Sequence, residues 1–301
     1  KVDLTLEQME EFDKCANDFE YFLENYVNIL SLDMGTVPFI PYEYQRRAMR
    51  KIIANRFVLL KWSRQSGKTT TVAAILLWYA IFNKKYDIYI CAQQRGQAIE
   101  ILDRIKEIYE LLPWWFQPGV LSWNRGSVRL GNKTRIVTAA TGGSGVRGKS
   151  VHILYLDEFA FVENDVQFYT ATYPVVSSGS SSKIIITSTP NGMNLFYKLW
   201  TEAVNKENAF IAEEAHWSEH PARNAAWEAE QRANLSERQF AQEYETDFLG
   251  SSGTLISPNK LQQLTFEKPV TTIGPQKDFK VYAEPKPGHN YVLTVDVSEG
   301  V

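Results

Sequence analysis

Apolar residues first recur at helical spacing: Leu6, Met9, Phe12, Phe19, Phe22, Leu23 and Tyr26 predict one or two amphipathic helices within residues 4–30. The stretch GTVPFIPY (35–42) breaks that pattern, and EYQRRAMRKIIAN predicts a further helix after it. From Phe57 short apolar runs alternate with helical segments: FVLLK (57–61), YDIYICA (86–92), RIVTAA (135–140), VHILYLDE (151–158) and KIIITSTP (183–190). Near-continuous, β-branched runs separated by helices predict an α/β fold with a mostly parallel sheet flanked by helices. After Asp247 the texture turns to Gly, Pro and Ser, in GSSGTLISPNK and TTIGPQKDFKVYAEPKPGHN, which predicts a linker or small lid-like subdomain. YVLTVDVSEG (291–300) starts a new strand.

Composition narrows the classes. The 301 residues are 44% apolar and 22% charged, and the formal charge of -3 excludes a uniformly basic coat but not a local basic face. Charge is uneven: Pro41–Lys68 holds eight Lys/Arg and one acid, Glu43, whereas Glu213–Asp247 holds nine acids and three arginines. The plain reading of each run is a solvated face. Two cysteines, Cys15 and Cys91, are too few for a disulfide framework and point to a reducing compartment. No signal peptide is evident, and TVAAILLWYAIF (71–82) is too short for a membrane span. The first residue is Lys, which reads as a trimmed chain.

Two segments resemble phosphate loops. GSGVRGKS (143–150) matches the Gly-x4-Gly-Lys-Ser pattern in full, whereas WSRQSGKT (62–69) carries Trp62 where the first glycine belongs. Such a loop must leave a buried strand and open a helix, so that backbone N–H groups face the phosphates. Only 62–69 has that context, between FVLLK and TTVAAILLWYAIFN; Ser150 is followed by a strand. The imperfect match is therefore the nucleotide site: Ser63, Arg64, Gln65, Ser66, Gly67, Lys68, Thr69 and Thr70. Lys68 would neutralise the β- and γ-phosphates, the Thr69 hydroxyl would bind Mg²⁺, and Arg64 adds a cation within reach of the γ-phosphate.

ILYLDE (153–158) supplies the acids: Asp157 would hold Mg²⁺ through water, and Glu158 would orient and deprotonate the attacking water. An acid beside the Mg²⁺ aspartate favours hydrolysis over kinase chemistry. In PYEYQRRA (41–48), Tyr44 and Gln45 are candidates for the adenine, since an amide both donates and accepts. Thr187, Ser188 and Thr189, at the end of IIITSTPNG, are candidates to sense the γ-phosphate and pass on its loss. His216 and His220 lack the glutamate placement of a zinc protease, and Trp114-Trp115 reads as core.

In order and spacing, SRQSGKTT, ILYLDEFAF, KIIITSTPNG and GSSGTLIS resemble the large terminase subunit of tailed bacteriophages, of the contractile-tailed myovirus kind, over roughly residues 35–301. The resemblance implies an ATP-driven motor that pumps double-stranded DNA into a preformed capsid. Implied with it are the portal protein, the small terminase subunit, a homo-oligomeric ring, the host cell cytoplasm and no membrane. It implies a P-loop NTPase of the additional-strand, catalytic-glutamate type over 1–250, helices 1–34 included. A linker or small subdomain over 251–290 would follow, then, in 291–301, the first strand of a truncated RNase H-like nuclease that needs two metals. By the same resemblance Arg147, in Val146-Arg147-Gly148, is a candidate arginine finger toward a neighbouring subunit, with Arg64 competing in cis. Asp296 matches the first nuclease metal carboxylate, and the expectation is ATPase without nuclease activity. Arg46, Arg47, Arg50 and Lys51 are candidates for DNA contact. A DEAD-like helicase or translocase is the alternative, as is a nucleotide-gated scaffold that does not turn over.

Overall fold

The computed structural model describes residues 4–31, 34–142, 151–177, 179–248, 269–273 and 279–292. The chain divides into two units, 1–251 and 252–301. The second contributes an antiparallel pair, β11 (Thr271–Ile273) with β12 (Phe279–Val281).

In the first unit the predicted amphipathic stretch is two helices, α1 (Leu6–Asn17) and α2 (Phe19–Tyr26). Thr5 and Asp18 start them as side-chain caps. Where GTVPFIPY was read as a break, β1 (Asn28–Ser31) and β2 (Gly35–Pro38) form a hairpin. Then come α3 (Glu43–Ala54), β3 (Phe57–Trp62), α4 (Lys68–Phe82), β4 (Asp87–Ala92) and α5 (Arg95–Leu111). The hairpin β5 (Val120–Asn124) and β6 (Ser127–Leu130) precedes β7 (Arg135–Ala140) and β8 (Ile153–Leu156). The last elements are α6 (Asp165–Ser177), β9 (Lys183–Ser188), α7 (Leu195–Val204), β10 (Ile211–Ala215), α8 (Ala225–Asn234) and α9 (Glu237–Glu243).

One sheet of eight strands carries the fold, in the order β10-β3-β9-β8-β4-β7-β6-β5. It is parallel from β10 to β7 and antiparallel across β6 and β5. Strand residues alternate between two cores, as period-two geometry requires. Val58, Leu60, Trp62, Ile153 and Tyr155 join the core under α3, α4 and α5; Phe57, Leu59, Leu154 and Leu156 join the core under α6 and α7. Helix α4 is buried on nearly every face, which is why its sequence is apolar all round. Burial pushes the thiols of Cys15 and Cys91 up to about 12, so both are inert apolar fillers at neutral pH. Trp115 stacks on Phe116 in the core, but Trp114, read with it as core, is 54% exposed.

The two charge runs are not separate solvated faces. They pair with each other across α3, β3, β10 and the segments that follow. Glu213, on β10 and 5% exposed, accepts from Arg47 at 2.8 Å and also takes Lys51; Arg47 reaches Glu219, Lys61 reaches Glu214 and Arg64 reaches Glu243. Arg46 and Arg50 are paired with Glu20 and Glu24 of α2 and with Glu43. The four cations suggested for DNA contact are thus each engaged by acids of this chain.

Candidate nucleotide-binding site

Phosphate-loop geometry follows from the elements on either side. Strand β3 ends at the buried Trp62, and α4 opens at Lys68 behind Gly67, a cap in the left-handed region at φ +79°. No helix follows 143–150: that segment lies outside the described residues, and after it the chain enters β8. Gly67 has two reasons to be glycine, its φ and a Cβ position only 2.5 Å from the Gln45 amide nitrogen. Gly67→Ala is expected to cost at least about 1 kcal/mol of stability and to loosen the loop; thermal unfolding and nucleotide affinity would both register it.

At the C-terminal edge of the sheet, β3, β9, β8 and β4 lie side by side, so their following residues converge, as ligand groups do in open α/β sheets. Asp157 follows β8 and is almost fully buried. Its Oδ1 accepts from the Tyr155 hydroxyl at 2.7 Å and from Thr187 at 2.8 Å. Burial first, then the neighbouring Glu158 charge, raises its pKa above the ordinary aspartate value, although both hydroxyls and Lys68 pull the other way. Glu158 sits in the left-handed region at φ +46°. Its Oε1 pairs with the Lys68 ammonium at 2.9 Å, and its Oε2 accepts from the Thr189 N–H at 3.2 Å and Ser188 Oγ at 3.3 Å. Thr187, Ser188 and Thr189 therefore touch the two acids directly.

Two hollows share Arg64 and Glu158. One, of about 250 Å³, is lined by Arg64 through Thr70 with Arg104 and Glu158; the other, of about 270 Å³, by Arg64, Gln93, Gln97, Glu158, Phe161, Thr189 and Glu243. Arg64 is 64% exposed along its side chain and, among the described residues, is held by Glu243 at 3.3 Å. The Thr69 hydroxyl carries no hydrogen bond among the described residues, and Asp157 keeps Oδ2 for a further donor or metal-bound water. This donor set, a hydroxyl and a carboxylate oxygen, fits hard Mg²⁺.

The assignment of Tyr44 and Gln45 to an adenine edge needs correction. Both are buried, and both donate to one carbonyl of the loop: Tyr44 hydroxyl to Ser66 O at 2.9 Å, Gln45 Nε2 to the same atom at 3.1 Å. Gln45 Oε1 accepts from the Tyr42 N–H at 2.9 Å, so the amide is used in both directions inside the protein. The pair holds the loop rather than presenting an edge to a base. Arg147 and Asp296 lie outside the described residues, as do Lys149 and GSSGTLIS. Sequence reasoning passed over three polar side chains here. Tyr155 is hidden in an apolar run; Arg104 of α5 donates to Thr70 at 3.4 Å; Arg223, ahead of α8, donates to Ser63 Oγ and to the carbonyls of Arg64 and Gln65.

Because β9 separates the loop strand from the carboxylate strand, the first unit has the P-loop NTPase fold of the additional-strand type. Residues 59–263 match the family described as terminase large subunit, T4likevirus-type, N-terminal, and the chain belongs to that family. It is 25% identical over 292 residues to the terminase large subunit of Thermus virus P23-45, covering 85% of this chain and 57% of that protein. The chain thus spans a little over half the length of the curated relatives it matches. Among solved structures, the large terminase ATPase domain of Thermus phage P74-26 aligns with a TM-score of 0.58 at 20% identity, over 70% of this chain and 95% of that one. The large terminase of a thermophilic bacteriophage, in complex with ADP, aligns with a TM-score of 0.55 at 10% identity, over 69% and 53%.

Proposed function

We propose that this chain binds and hydrolyses ATP, and that in the whole terminase large subunit this turnover drives double-stranded DNA into a procapsid. One observation carries the reading: the loop cation Lys68 and the acids Asp157 and Glu158 converge at one sheet edge, with Lys68 paired to Glu158. A γ-phosphate arriving at the loop competes with Glu158 for the Lys68 ammonium. Once Lys68 turns to the phosphate, one carboxylate oxygen of Glu158 is free to take a proton from water. Mg²⁺, held through Thr69 and Asp157, would neutralise charge on the phosphates. Ser188 and Thr189, bonded to Glu158, carry any shift of that carboxylate into β9. The terminase name of the P23-45 relative and the ATPase-domain and ADP-complex descriptions of the two solved relatives support the same reading.

DNA contact fits a different surface from the one suggested by the sequence. A hollow of about 500 Å³ at the N-terminal ends of β4 and β7 is lined by Lys85, Arg129, Lys133, Arg135 and Asp87. Only Arg135 is paired there among the described residues, with Asp87 at 3.1 Å. The three remaining cations suit a phosphate backbone, whose binding weakens steeply with salt. The portal, the small subunit, a ring of copies and the host cytoplasm belong to the same proposal, with Arg147 as the finger between subunits.

Steady-state phosphate release, with and without double-stranded DNA, tests the reading. Lys68→Ala should abolish turnover and Lys149→Ala should not; Arg147→Ala should lose only the part that grows with protein concentration. A dead Lys149→Ala beside an active Lys68→Ala would move the nucleotide to 143–150. Lys85→Glu with Lys133→Glu should weaken DNA binding about tenfold or more at moderate salt and leave DNA-independent turnover unchanged; equal DNA affinity would remove the hollow from the proposal.

A further inference from the structure

The loop is gripped from its carbonyl side, and among the described residues outside the loop the charged member of that grip is Arg223. Three successive loop carbonyls end on side chains from outside the loop. Ser66 O takes Tyr44 and Gln45, while Arg64 O and Gln65 O take Nη2 of Arg223 at 2.7 and 3.0 Å. Nη1 of the same guanidinium donates to Ser63 Oγ at 3.1 Å. In a trans peptide the carbonyl and the next N–H point in opposite directions. Fixing the carbonyls of residues 64 and 65 therefore aims the N–H groups of Gln65 and Ser66 away from Arg223. Neither N–H has a partner among the described residues, which leaves both for an anion on the other side of the loop.

The backbone needs such a hold. Gln65 sits at φ +56°, a conformation that costs a non-glycine residue free energy unless its surroundings impose it. The glycine that usually opens the loop is replaced by Trp62, which is buried against Tyr44 at 5.2 Å. Flexibility has been exchanged for external fixation, and Arg223 spans the segment that contains Gln65. The guanidinium is itself held over the Trp227 ring at 4.7 Å and near Tyr244 at 5.6 Å. These rings belong to the aromatic cluster of α8 and α9, with Trp217 and Phe240. Glu243 of α9 adds a backbone carbonyl that accepts from the Arg64 N–H at 2.7 Å.

We propose that Arg223 is a positioning residue for the phosphate loop: it holds the loop carbonyls outward so that its N–H groups form the anion cradle, and it ties the loop's state to the α8–α9 cap through Trp227. The inference rests on the ATP-binding reading above. Lysine cannot replace the fork, because one ammonium does not reach two carbonyls and a hydroxyl in a plane.

The test compares the parent with Arg223→Gln and Arg223→Lys, using ATP turnover, affinity for a fluorescent ADP analogue, and tryptophan emission with and without Trp227→Phe. Each lost charge-assisted hydrogen bond is a factor of about 10 or more, so KM for ATP and the analogue Kd should rise about 10- to 100-fold. Saturating ATP re-imposes the loop, so kcat should change less than about threefold. Arg223→Lys should rescue the thermal midpoint better than it rescues KM, which separates positioning from mere stability. Nucleotide should change the Trp227 emission of the parent and not that of Arg223→Gln. Folded variants with parental KM and Kd overturn the inference and leave the ATPase reading standing. A parent that neither binds the analogue nor hydrolyses ATP overturns both. If Arg223→Gln does not fold, Arg223→Lys alone decides, through KM at an unchanged thermal midpoint.

Discussion

Glu158→Gln is expected to slow ATP hydrolysis by about 10²- to 10⁴-fold, the range for removing a general base, while nucleotide affinity stays the same or tightens. The amide keeps the shape of the carboxyl and can still accept from the Thr189 N–H and Ser188 hydroxyl. It cannot take a proton from water. It also no longer binds the Lys68 ammonium as an ion pair, a pair 2.9 Å long. Lys68 then meets the γ-phosphate without first leaving a partner, which is why binding should not suffer. Single-turnover phosphate release and the Kd of a fluorescent ATP analogue measure the two effects separately. A fall in affinity as large as the fall in rate would make Glu158 a binding residue; a rate within threefold of the parent would remove it from the chemistry.

The parts legible in the sequence are those that local pattern decides. A buried strand, a Gly-Lys-Thr turn and an apolar helix are contiguous, so 57–82 could be read without knowing the rest. The five apolar runs all became strands of the one sheet; RIVTAA is a strand throughout, whereas VHILYLDE and KIIITSTP end as strands before Asp157 and Thr189. Strand β10 was missed because IAEEA breaks the apolar pattern with Glu213 and Glu214. These acids lie inside a strand because Arg47, Lys51 and Lys61 meet them from more than 150 residues away in sequence, a pairing that no window reveals. Gln45 shows the opposite failure. Its chemistry as donor and acceptor was read rightly, but the partners are the backbone of Tyr42 and Ser66 rather than a base. Arg223 gave no signal at all, since its partners are two carbonyls and a hydroxyl, and carbonyls carry no residue identity. The position of β9 between β3 and β8 came from family resemblance; spacing alone does not order strands.

Asp157→Asn is expected to lower Mg²⁺-dependent turnover by about 10²-fold or more, the scale of losing a main electrostatic stabiliser, and to make the ligand-free protein more stable. Asparagine Oδ1 can keep both acceptor bonds, from Tyr155 and Thr187, so packing is preserved. What disappears is a buried charge. Because burial and the Glu158 charge raise the Asp157 pKa from 3.8, the folded state holds this proton to higher pH than the unfolded chain does. Across the window from 3.8 up to the raised value the folded state binds more protons, so stability falls as pH rises, and the loss is complete above it. The parent and Asp157→Asn should therefore have similar thermal midpoints below about pH 3.9 and diverge toward neutrality, with the variant higher. Adding Mg²⁺ and ADP should raise the parent's midpoint by supplying the missing counter-charge, and should raise that of Asp157→Asn less. A variant that is less stable than the parent at neutral pH would mean that the charge is already compensated by the protein, and that Asp157 is a structural acceptor before it is a metal ligand.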